Sequence, residues 1–134
     1  MDLVAFVGRV LFSLLFLGAA FGHFKDSAAM TEYAKAKNVP LAGPSVLGSG
    51  VLLVLGGLSV LLGVWADLGS LLLFVFLVPA AVLFHDFWKQ TDPATKQIEQ
   101  VMFSKNIALA GASLVFFTGF ATGAIGWTLT GPLL

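Results

Sequence analysis

Two histidines, His23 and His85, are the only imidazoles in the chain, and each stands in a short polar cluster beside a long apolar run. Lys25 follows the first, Asp86, Trp88 and Lys89 follow the second, and Lys105 with Asn106 opens another apolar run. If those runs lie side by side, His23, Lys25, His85, Asp86, Trp88, Lys105 and Asn106 share one polar mouth. A quinone headgroup needs hydrogen-bond donors for its carbonyls and an apolar, aromatic-lined slot, which His85, Lys105, Phe87 and Trp88 supply. Two histidines on different helices also allow a b-type haem, although nothing else in the surrounding sequence supports one. The plainest alternative is local pairing or capping, since a cation suits a helix C-terminus. The chain has no Cys. Thiolate nucleophiles, disulfides and Cys-ligated clusters are therefore excluded within it, and no metal site is expected.

A second polar pair stands at the far ends of the same runs. Arg9 lies about 9 Å into the first run, counting about 1.5 Å per residue, and Asp67 opens the third. Arg9, Ser13, Phe16, Ala20 and His23 fall on one helical face, as do Asp67, Ser70, Phe74, Val78, Ala81 and His85. A charge at membrane depth is costly unless paired or hydrated, so both stripes should face a protein interior. Arg9 and Asp67 are expected to form a structural ion pair, the arginine snorkelling towards the carboxylate.

The elements that must position these residues follow from composition. Of 134 residues, 58% are hydrophobic and 10% charged, against about 45–50% and roughly 25% in a soluble domain. A small soluble core cannot hide that much apolar surface, so the solvent is lipid. The seven basic and seven acidic residues cancel and give no charge for recruiting nucleic acid. Four runs meet the spanning requirement of about 20 residues, near 3–24, 44–64, 67–88 and 104–122. The first has no basic region before it and is read as a retained helix rather than a signal peptide. Runs two and three almost touch, which requires a tight antiparallel hairpin. The expected fold is a single all-α transmembrane domain over 1–134, an up-down four-helix bundle.

Between the first two runs, Met30, Tyr33 and Ala34 sit at helical spacing among charged residues, the pattern of a short interfacial helix that ends by Pro40. Asp92-Pro93 reads as an N-cap followed by proline at the first helical position, so the fourth helix is expected to start outside the membrane. Pro79 predicts a bend in the third. Small residues predict close packing within the bundle, or alternatively a homo-oligomer contact: Ser45, Gly48, Ser49, Gly56, Ser59 and Gly63 on the second helix, Ala108, Ala112, Gly119 and Thr122 on the fourth, and Gly18 and Gly22 on the first. Lys25, Lys35, Lys37, Lys89, Lys96 and Lys105 all flank two connections. That end is expected to be cytoplasmic and both termini extracytoplasmic. Trp65 and Trp127 mark one interface, Tyr33 and Trp88 the other.

Gly8-Arg9, Gly22-His23-Phe24-Lys25, the stretch Tyr33 to Pro40, Gly56-Gly57, Phe84-His85-Asp86-Phe87-Trp88 and Lys105-Asn106-Ile107-Ala108-Leu109-Ala110-Gly111 together resemble the DoxX family of small bacterial and archaeal membrane proteins. The resemblance runs from about residue 3 to 122. It implies a four-helix inner-membrane protein and an association with quinone-linked membrane complexes handling sulfur or oxidative stress. It points to Arg9, His23, Lys25, His85, Trp88, Lys105 and Asn106 without fixing a catalytic role for any. Many relatives carry a Glu shortly before the paired glycines, where this chain has Val51-Leu52-Leu53-Val54, so a proton role for that Glu is excluded here. The expected function is a membrane subunit that serves or anchors a redox complex, with lipid and membrane or peripheral redox proteins as partners. The alternatives are a scaffold or assembly protein and a small transporter or lipid-binding protein.

Overall fold

In lipid no water is available to bond backbone amides, so an apolar run of spanning length resolves as helix. The computed structural model describes residues 1–134 and contains five α-helices: α1 (Asp2–Lys25), α2 (Ser27–Ala36), α3 (Ala42–Leu62), α4 (Ala66–Phe84) and α5 (Pro93–Ala121). All but α2 are long and apolar enough to cross a membrane. Helices α1, α3, α4 and α5 pack as successive antiparallel neighbours. Phe12 of α1 meets Phe116 of α5 at 4.7 Å between ring centroids, which joins the first and last spans. The bundle therefore has one end rich in lysine and an opposite end that holds both termini.

Polarity selects the inward faces. The buried residues of α1 are Arg9, Ser13, Phe16 and Ala20, and those of α4 include Asp67, Ser70 and Ala81. These are the expected stripes, since lipid cannot solvate their polar members. The small-residue faces hold only in part. On α5 the inward residues are Asn106, Ala110, Ser113 and Phe120, while Ala108 and Thr122 are exposed. A polar Asn or Ser loses more in lipid than a small apolar residue gains by packing, so the polar positions set the rotation of the helix. A methyl group added at Gly18, Gly22 or Gly48 would meet nothing within 4 Å. The close approach of α3 and α4 uses the Gly56 and Ser59 of the expected face, with Gly69 opposite: a Cβ on Gly56 would be 2.7 Å from Leu73, and one on Gly69 would run into Ser59.

The hairpin between α3 and α4 is as tight as expected. Gly63 closes α3 at φ 70°, and its added Cβ would stand 2.6 Å from Thr128 Cα and 2.8 Å from Arg9 Nη2. Both the left-handed backbone and the crowding therefore call for glycine here. Ser59 donates from Oγ to the carbonyls of Val64 (2.6 Å) and Trp65 (3.0 Å), binding the turn to the helix before it.

At the lysine-rich end, α2 lies against the start of α3. Ala34, Ala42 and Val46 form a small buried cluster with Met30, Val39 and Phe84 around it. The start of α5 is also as expected: Asp92 Oδ2 accepts from the Thr95 amide at 2.9 Å and from its hydroxyl at 2.8 Å, and Pro93 takes the first turn. The third span covers Ala66–Lys89, as expected, but its continuous α-helix stops at Phe84 and a single 3₁₀ turn at Phe87–Lys89 completes it. The backbone leaves the helical region at His85 (φ −115°, ψ 51°), where the side chains of His85 and Asp86 turn to partners on α5 and α2.

Candidate functional site

Two polar centres occupy opposite ends of the bundle. At the end holding the termini, Arg9 and Asp67 are both fully buried, yet they do not pair with each other, which corrects the expected ion pair. Arg9 donates to four backbone carbonyls: Nε to Val60 (2.9 Å), Nη2 to Leu61 (2.8 Å), and Nη1 to Gly126 (3.1 Å) and Trp127 (2.9 Å). Its guanidinium also lies 5.7 Å from the Phe6 ring and 5.5 Å from that of Phe120. Asp67 Oδ2 accepts from the amides of Leu133 (2.8 Å) and Leu134 (2.7 Å).

The physical reason is the stretch after α5. Residues 122–134 fold back across the bundle, and Leu129 and Thr130 also donate to the Gly63 carbonyl at 3.0 Å. The planar guanidinium spreads its donors over carbonyls of two separate segments, an arrangement an ammonium does not reproduce. A cavity of about 150 Å³ lies under this strap, lined by Ala66, Phe120, Ile125, Thr128 and Thr130 among others. These contacts make the terminal end a structural clasp.

The lysine-rich end has a different character. His85 Nδ1 is 2.8 Å from Glu99 Oε2, joining the connector to the first turns of α5. Asp86 is buried and takes Lys37 Nζ of α2 at 2.6 Å, with Lys89 at 3.5 Å on its other oxygen and Gln90 at 3.3 Å. The Tyr33 hydroxyl donates to the Phe84 carbonyl at 3.3 Å. Burial lowers the Lys37 pKa, but its hydrogen bond to Asp86 and the neighbouring negative groups outweigh this and hold it above the ordinary lysine value. Burial raises that of Tyr33, with Lys37 opposing. Phe87, Trp88 and Phe103 form an aromatic trio beside these groups, with centroid separations of 5.2, 5.4 and 5.8 Å.

Of the residues expected at the mouth, His85, Asp86 and Trp88 share the connector, and the structure ties them to α2 and α5. The others stand apart. His23 turns its Nδ1 to the Ala19 carbonyl at 2.8 Å and its ring edge to Phe76. Lys25 is exposed over the Phe21 ring, Lys105 is exposed near the Met102 sulfur at 3.7 Å, and Asn106 is buried in the bundle on α5. Lys37, Tyr33 and Glu99 complete the cluster although sequence reasoning passed them over. Glu99 lies one helical turn before Phe103, so both occupy one face of α5, a periodicity signal that was legible in the sequence. No group of three His, Asp or Glu side chains is placed to hold a metal ion.

A bundle of four apolar helices with buried charges at its terminal end defines a polytopic integral membrane protein. The DoxX family model matches residues 4–86, from α1 to the connector, and the chain belongs to the DoxX family. The match stops before the Lys105–Gly111 segment that also carried the resemblance. Neither the curated proteins nor the solved structures give a match.

Proposed function

We propose that this DoxX-family protein is a membrane subunit of a quinone-linked redox complex, and that its lysine-rich end receives the quinone headgroup. The observation carrying the reading is the His85–Glu99 pair next to the aromatic trio Phe87, Trp88 and Phe103. A headgroup confined to the bilayer needs an apolar wall and a polar partner at the same depth, and this corner supplies both. The electron-transferring centre belongs to a partner protein, and the lysine-rich end faces the cytoplasm of a bacterial or archaeal cell, as the positive-inside rule requires. Because the chain has no Cys, single cysteines at Ala36 and Gly131 report the two ends separately. The proposed orientation requires that only the second react with an impermeant thiol reagent on intact cells. Quinone or hydroquinone extracted with the purified protein, and lost from His85→Ala, is the expected result for the headgroup site. Neither form in the wild type, with quinol-linked activity unchanged in His85→Ala, would sink it.

One observation favours a scaffold as the second reading. The ionic groups of the cluster satisfy one another through Lys37–Asp86 and His85–Glu99, and neither the cavity between α2 and α3 nor the one under the strap is lined by His85 or Arg9. A scaffold would keep its partner proteins in His85→Ala, whereas a headgroup site would keep them and lose the quinone.

A further inference from the structure

Glu99 is the only hydrogen-bond partner His85 has through its side chain. A carboxylate offers acceptors and no donor, so a neutral imidazole facing it must carry its proton on Nδ1. The Nε2 atom is then a bare acceptor, and it makes no hydrogen bond within the chain. We infer that Glu99 is the positioning residue of His85, fixing the Nδ1–H tautomer so that Nε2 accepts the hydroxyl of a membrane-soluble hydroquinone. This rests on the headgroup reading above and adds which redox form is bound.

The chemistry separates the two forms. A quinone presents only carbonyl acceptors, which a bare Nε2 cannot bond; a hydroquinone presents O–H donors. In the proton step the hydroquinone O–H bond breaks and an Nε2–H bond forms, leaving a hydroquinone monoanion and an imidazolium that faces the Glu99 carboxylate. No electron moves in that step. The surrounding ionisable groups are hydrogen-bonded elsewhere, although the charge of Glu99 still acts on Lys37 and Tyr33. From α2, Lys37 is bound to Asp86 and Tyr33 donates to a backbone carbonyl; from the connector, Lys89 also leans on Asp86. The aromatic wall is in register, with Phe87 two residues after His85 and Phe103 four after Glu99. An arrangement that holds an imidazole through its second nitrogen is a general device for fixing its tautomer and ring orientation.

With only two histidines in the chain, ¹⁵N NMR of the protein in nanodiscs assigns the His85 ring by comparison with His23→Gln. The same preparation is titrated with decylubiquinol and with decylubiquinone, following Trp fluorescence. The expected result is an Nδ1–H tautomer and roughly tenfold tighter binding of the quinol, the equivalent of one hydrogen bond gained or lost. Glu99→Gln should scramble the tautomer and abolish the preference, while Glu99→Asp restores part of both. An Nε2–H tautomer in the wild type, or equal affinity for the two forms, overturns the role of Glu99 and leaves the headgroup reading standing. The expected tautomer with binding of neither compound overturns the headgroup reading and this inference with it. The wild-type measurements decide the matter even if Glu99→Gln does not fold.

Discussion

Arg9 shows how a buried charge in lipid can be satisfied without a counter-charge, whereas Asp67 is satisfied at Oδ2 and leaves its buried Oδ1 without a partner. Arg9 reaches four carbonyls on two segments, and Asp67 reaches two consecutive amides of the strap. The difference from an ion pair is measurable. Asn keeps an oxygen that accepts both amides, so Asp67→Asn should cost only about 1–2 kcal/mol, whereas Asp67→Leu should cost clearly more by leaving two buried donors unmet. Arg9→Lys should not rescue Arg9→Ala, because a point ammonium does not span four carbonyls; a loss of about 3 kcal/mol is expected for each. Reversible unfolding in mixed micelles measures all four variants. A loss in Asp67→Asn as large as in Arg9→Ala would restore the ion pair.

At the scale of elements, helix contacts depend on backbone approach where side chains are missing. Gly69→Ala forces its new methyl into Ser59, whose hydroxyl also holds the α3–α4 turn, so a loss of about 1–3 kcal/mol is expected from overpacking. Gly111→Ala meets open space and should be close to neutral or slightly stabilising, as alanine favours helix. The same unfolding assay compares them, and equal losses would refute the placement of the α3–α4 seam. A second element-scale expectation concerns α2, which Lys37 fastens to Asp86. Because the folded Lys37 pKa lies above the ordinary 10.5, this contribution is complete below that pH and is lost as pH rises through the higher folded value. A fluorophore on Ala36→Cys should therefore become mobile only in strong alkali, with Tyr33→Phe as control for phenol ionisation. In Lys37→Met it should be mobile at every pH, and identical traces for the two proteins would disprove the latch.

On the whole-molecule scale, the terminal end is closed by the strap, and the lysine-rich end is held by side-chain pairs across three elements. Removing residues 123–134 takes away two of the carbonyls that Arg9 uses and both amides that Asp67 uses. Truncation should lower the Tm in detergent by several degrees, in keeping with about 3 kcal/mol or more from lost charge-assisted bonds. Arg9→Ala should then cost much less in the truncated protein than in the full chain. Additive losses would mean that strap and arginine stabilise the bundle independently.

The positions of the spans, the polar stripes of α1 and α4, the α3–α4 hairpin and the Asp92 cap were all legible in the sequence. Each follows from a local periodicity or cap, and lipid enforces that pattern because a misplaced polar residue has no water to turn to. What the sequence could not supply were partners. Arg9 and Asp67 look equally matched to each other and to any backbone, since carbonyls and amides occur at every position and leave no trace in residue type. Only the return of the strap brings the right ones within reach. Likewise, the end of α4 at Phe84 and the entry of Glu99, Lys37 and Tyr33 into the cluster come from how α2 and α5 lie against the connector. Sequence alone determined which residues must leave lipid; tertiary structure decided which groups receive them, because hydrogen bonding depends on proximity in space and hydropathy only on position along the chain.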